Sequence, residues 1–187
     1  MLRVAGTTTR LAAVAVLAAV LIAGGALAGC GSDPEDVTSV DEGQPMKLGE
    51  LVYNIQISRF LNLTDEEDSA YLAGLPPPAS DKLYLAVFMT VENDGDTDQT
   101  LPKDFKVVDT TGTAYKPIPS KSDFALPLGG TVPAERTLPS AESTAANGPI
   151  QGSMVLFEVS DQAIENRPLI LDIPSSTGSP GEVTLDI

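Results

Sequence analysis

Three aspartates at alternate positions, Asp94, Asp96 and Asp98, follow Glu92 at the spacing that a calcium loop uses for its first oxygen contacts. Calcium takes about six to eight oxygens, and no glutamate stands at the loop's twelfth position, so the set is partial. The same residues suffice for a solvated turn between two strands. Asp65-Glu66-Glu67-Asp68 is a second acidic run, and successive charges of one sign predict a repelled, mobile loop. Ser120-Lys121-Ser122 holds the ingredients of a serine–lysine nucleophile, but adjacency in sequence says nothing about convergence, and such a loop is ordinary.

Composition removes much other chemistry. The chain has no histidine, which excludes Ser-His and Cys-His nucleophile pairs and an imidazole zinc site. Its one cysteine, Cys30, closes the run Leu27-Ala28-Gly29-Cys30 behind 18 uncharged residues, 11–28, that follow Arg3 and Arg10. That is the charged start, apolar stretch and small-residue cleavage site of a secretory signal. The four residues match a lipobox, whose cysteine sulfur receives a diacylglyceryl group before the chain is cut in front of it. The expected sites are therefore lipidation at Cys30 and a lipobox of Leu27, Ala28 and Gly29. No catalytic or cofactor-binding residue is expected; the metal candidates are Asp94, Asp96 and Asp98, with calcium as the one conceivable ion. With no second cysteine, the exported domain holds no internal disulfide and must fold on apolar burial alone.

Removing residues 1–29 from 187 leaves 158, which suits one domain. All 26 acidic residues remain but only nine of the 11 basic ones, so the net charge becomes −17. Such a surface is repelled by phosphate backbones and anionic headgroups, which argues against nucleic acid as a partner. The expected partners are a membrane, held through Cys30, and a protein or glycan of the envelope. The expected location is the outer face of the bacterial cytoplasmic membrane or the cell envelope.

Residues 30–46 are acidic and rich in glycine, serine and proline, and predict a disordered tether after the lipidated cysteine. From residue 47 to 187 short apolar runs alternate with turn residues. Residues 51–58 predict a strand, and the acidic residues 64–69 with Pro76-Pro77-Pro78 predict a loop. Residues 83–92 give the strongest element: odd positions are all apolar while even ones turn polar at Thr90 and Glu92, so one face is core throughout and the other becomes wet. A turn at Asn93-Asp94-Gly95-Asp96 follows, with Gly95 expected to supply a positive φ. Residues 105–109 and 114–117 flank Thr110-Thr111-Gly112-Thr113 as a hairpin. Residues 120–149 are polar and proline-punctuated, with a short strand near Arg136-Thr137-Leu138; so long a loop is expected to lie against the sheets or to carry function. Residues 152–159, 168–173 and 183–187 predict three further strands, and Asp161-Gln162-Ala163-Ile164 a single helical turn. About seven strands with almost no helix predict an all-β antiparallel β-sandwich.

The order of pieces resembles the telokin-like, immunoglobulin-like extracellular domain of small bacterial lipoproteins, a family of unknown function. The matching pieces are the strand ending in Asn93 with its Asp94-Gly95 turn, then Phe105-Lys106-Val107-Val108-Asp109, then Gly112 with Tyr115, then Gly152 ahead of Phe157, over residues 47–187. The chain departs from that pattern in residues 120–149. The resemblance implies an immunoglobulin-like sandwich and carries no ligand or catalytic residue. The function expected is that of a non-catalytic binding or structural module; the rival is an extracytoplasmic enzyme using carboxylates.

Overall fold

The computed structural model describes residues 39–187 apart from Thr177 and Ser179. The signal segment, Leu27, Ala28, Gly29, the lipidation site Cys30 and most of the expected tether lie outside the described residues. In chain order the elements are β1 (Ser39–Asp41), β2 (Pro45–Leu48), β3 (Leu51–Leu61), β4 (Lys82–Asn93), β5 (Gln99–Thr100), β6 (Lys106–Val108), β7 (Ala114–Tyr115), β8 (Thr131–Val132), β9 (Thr137–Leu138), α1 (Thr144–Asn147), β10 (Ser153–Ser160), a 3-10 turn (Asp161–Ile164), β11 (Leu169–Ile173) and β12 (Gly181–Leu185). One sheet runs β10-β4-β3-β2, with β9 also on β4; the other runs β1-β12-β11-β6-β7; β5 and β8 form a separate pair. The fold is an all-β sandwich, with more and shorter strands than the seven expected.

The long strands form where β-branched and aromatic residues alternate. Leu85, Val87, Met89 and Val91 of β4, together with Val155, Phe157 and Val159 of β10, face Val107, Leu169, Leu171, Ile173 and Val183 of the opposite sheet across one dry core. The only partial alternation of β3 has a physical cause. A bulge between Ile55 and Ile57 shifts the register, so Ile55 pairs with Met89 while Ile57 pairs with Phe88. One extra residue reverses the inward set. Before the bulge Tyr53 and Ile55 point into the core; after it Leu61 points to the outer face.

That outer face has a core of its own. Tyr84, Ala86 and Phe88 of β4 and Met154 and Leu156 of β10 are buried beneath Tyr71, Leu72, Phe124 and Ala145. Residues 120–149 thus lie against the sheet, as one of the two expectations had it. Together with Ile118 they also cover its β10 edge: Ile118 donates its amide to the Leu156 carbonyl at 2.8 Å, and Leu126 donates to that of Met154 at 2.8 Å. Gly152 has φ +124°, and a Cβ there would stand 3.1 Å from the Met89 backbone, so only glycine lets the chain enter β10 this close to β4.

Three expectations are corrected. Among the described residues the sandwich already includes Ser39, ahead of residue 47: β1 pairs in parallel with β12, and the Glu42 carboxylate accepts the Ser58 amide and hydroxyl and the Asp186 amide. An acidic composition reads as solvated, but here the acid serves as a hydrogen-bond acceptor for distant backbone. Asp65 to Asp68 is not a simple repelled loop, because Asp68 is buried. Gly95 is not among the positive-φ glycines; it is buried against Glu50, whose Oε2 would lie 2.9 Å from an added Cβ.

Candidate functional site

The acidic turn is organised by Asn93, the buried last residue of β4. Its side-chain amide donates to the Thr97 carbonyl at 2.8 Å and the Val132 carbonyl at 3.0 Å, and its oxygen accepts the Gly95 amide at 3.0 Å. This clamp sends the aspartates to separate tasks. Asp94 meets the Lys47 ammonium at 3.3 Å, Asp98 accepts the Ala134 amide at 3.0 Å, and Asp96 stands exposed. Among the described residues no three histidine, cysteine, aspartate or glutamate side chains come together as a metal site, Asp94, Asp96 and Asp98 included.

The other two sequence candidates are also occupied. The Ser122 hydroxyl donates to the Ala70 carbonyl at 2.8 Å and accepts the Phe124 amide at 3.3 Å, so it ties the 120s to the loop over the outer face. No hydrogen bond joins the Lys121 ammonium to Ser120 or Ser122. Asp68 accepts the Arg59 guanidinium at 2.6 Å and the Asn62 amide at 2.8 Å, which pins the acidic loop to β3.

Polar residues of the hairpin motif hold the backbone. The buried Asp109 carboxylate accepts the Thr111 amide at 2.9 Å, the Thr111 hydroxyl at 2.6 Å, the Thr113 amide at 3.0 Å and the Tyr115 hydroxyl at 3.2 Å. Burial works to raise its pKa, but hydrogen bonds to the charged form outweigh it and hold the carboxyl below its usual value. Gly112, at φ +84°, closes the turn. Tyr115 is pushed upward by burial and by the Asp109 charge.

A cavity missed by the sequence reading lies beside this hairpin. It measures about 410 Å³ and is lined by Lys103, Asp104, Phe105, Lys106, Lys116 and Pro117. Lys106 and Lys116 flank the Val107–Tyr115 pair of β6 and β7. On its other side Lys106 neighbours Asp172, whose carboxyl is pushed up by burial and by Glu182 and pulled back by Lys106. The signal was available: lysines flanking a predicted hairpin at matched positions become neighbours once the strands pair.

The chain is similar in structure to an uncharacterized beta-sandwich protein from Clostridium difficile, with 14% identity over 80% of this chain and 94% of that one, at a TM-score of 0.50. That likeness is one of fold. A Bacillus subtilis protein described as a candidate lipoprotein is 18% identical over 79% of this chain and 39% of its own length, with a TM-score of 0.47. The yjhA protein of Bacillus subtilis is 14% identical over 78% of this chain and 98% of its own, at 0.46. No protein-family model matches the chain, and no curated protein does. Among the described residues no helix is long and apolar enough to cross a membrane.

Proposed function

We propose that this chain is a lipid-anchored, non-catalytic protein of the bacterial cell envelope, whose sandwich is an immunoglobulin-like, telokin-like module for binding or spacing at the membrane surface. The observation that carries it is Leu27-Ala28-Gly29-Cys30 behind an uncharged run, joined to a sandwich whose first strand starts at Ser39, nine residues after the cysteine. Nine residues reach at most about 30 Å, so an anchor at Cys30 holds the domain close to the surface. An acidic module of net charge −17 then stands off anionic headgroups while remaining tethered to them. The non-catalytic part is supported by the buried carboxylates: Asp68 and Asp109 are each saturated by donors of their own chain.

Two acyl chains hold a protein on a bilayer where one holds only marginally. Cys30→Ala is therefore expected to abolish incorporation of a clickable fatty acid and to leave the precursor uncut on a gel. Normal processing of that variant overturns the anchor.

A further inference from the structure

We propose that the cavity where Lys103, Lys106 and Lys116 converge binds a phosphate-bearing ligand. The inference rests on reading the domain as a binding module and not on its anchor. Only nine basic residues follow Cys30, and three of them line this one cavity. Among the described residues Lys47 and Arg59 have carboxylate partners, while the ammonium groups of Lys103, Lys106 and Lys116, like those of Lys82 and Lys121, make no salt bridge or hydrogen bond. In a chain so rich in acid, three exposed lysines gathered around one cavity make a local positive patch.

Like charges brought to one place repel, and an anion between them would offset that repulsion. Lys106, at the start of β6, and Lys116, just past β7, flank the Val107–Tyr115 pair and line the same cavity. Lys103 is laid over Gly129, at φ +72°, where an added Cβ would lie 2.1 Å from its Cε, so its stem occupies space that only a glycine leaves open. The volume falls in the range of small-ligand sites. Three lysines against Asp104 leave a lining charge of +2, which matches a phosphate monoester of about −1.5 to −2 at neutral pH. Asp172, paired with Lys106 in the neighbouring strand, tempers that charge. Lysines act as point charges with rotatable donors, which suits a tetrahedral oxyanion better than a planar, bidentate partner.

The test uses the full chain in phosphatidylcholine nanodiscs, titrated calorimetrically with inorganic phosphate, glycerol 3-phosphate and succinate. Saturable binding of at least one phosphate compound at one site per chain is expected, weakened at least about tenfold in a Lys106→Gln, Lys116→Gln double variant and unchanged in Lys121→Gln. Preference for inorganic phosphate assigns the free anion. Loss of glycerol 3-phosphate binding when the disc is made of phosphatidylglycerol assigns a lipid headgroup that already fills the site. No saturation with any phosphate compound in phosphatidylcholine discs, equal weakening by Lys121→Gln, or equal or tighter binding of succinate overturns the proposal. Phosphorus NMR of the titrated sample separates the two readings: glycerol 3-phosphate recovered intact agrees with a non-catalytic module, and its hydrolysis overturns that reading while leaving the site.

Discussion

The sheet built from β10, β4, β3 and β2 is apolar on both faces, and its two faces are covered by different means. The inner face meets a second sheet, so strand packs on strand and burial is set by regular alternation. The outer face meets residues 62–80 and 118–150, whose few apolar side chains, Tyr71, Leu72, Phe124 and Ala145 among them, are delivered by turns and by the short α1 and held by polar clamps. Tyr71 packs edge-on against Phe88 at 5.0 Å and against Phe124 at 4.6 Å, while Arg59 to Asp68 and Ser122 to Ala70 fix the backbone around it. A sheet-covered face is stabilised by repetition; a loop-covered face depends on a few individual contacts.

The largest expected effect lies on the inner face. Phe157 is fully buried, and Phe157→Ala should cost about 3 to 5 kcal/mol, a large part of a domain's ~5 to 15, read as a lowered urea midpoint. Phe124→Ala, on the outer face, should cost about 2 to 3 kcal/mol, since a loop collapses more readily around a cavity than a sheet does. Hydrogen exchange should then rise in residues 118–150 while the β4 amides stay protected. Equal, global loss of protection from both variants would mean that the two covers unfold as one unit.

Next comes the clamp. Arg59→Ala removes a charged partner from the buried Asp68 and should cost about 2 kcal/mol, with proteolysis appearing first in residues 62–80. An unchanged midpoint would show that Asp68 is satisfied by the Asn62 amide alone.

A pH titration separates the hairpin from both covers. Because the folded pKa of Asp109 is depressed, its contribution is fully present above the unfolded value of about 4 and is lost as pH falls through the lower folded value. Asp109→Asn should therefore destabilise the protein at pH 7 and flatten the loss of stability in acid, measured by urea melts between about pH 2 and 5. An identical acid slope in both proteins would remove Asp109 from the account.

The smallest effect is expected at the acidic turn. Asp98→Ala gives up one exposed hydrogen bond to Ala134 and should change stability by less than about 0.5 kcal/mol. A melting temperature that calcium raises strongly in the native chain, and not in an Asp94→Asn, Asp96→Asn variant, would make this turn a metal site after all.

Which parts were legible follows from range. The period-two pattern of residues 83–92 and the hairpin around Gly112 are local, and each places its strand without help from the rest of the chain. The motif residues Asn93, Asp109, Gly112, Tyr115 and Gly152 were visible as types; only the structure shows that they clamp turns or permit close approach of backbone. Composition alone also determined the exclusion of imidazole chemistry, the want of an internal disulfide and the acidic balance.

Tertiary structure decided what depends on partners far along the chain. Residues 39–41 become a strand because β12, some 140 residues later, offers them a parallel edge. Asp68 is drawn inward by Arg59, and the aspartates of the turn are drawn apart by Lys47 and Ala134. Local pattern sets which face of a strand is dry, because side chains alternate by covalent geometry. It cannot set which charges meet, because that is fixed by contacts between segments that the chain's own order leaves far apart.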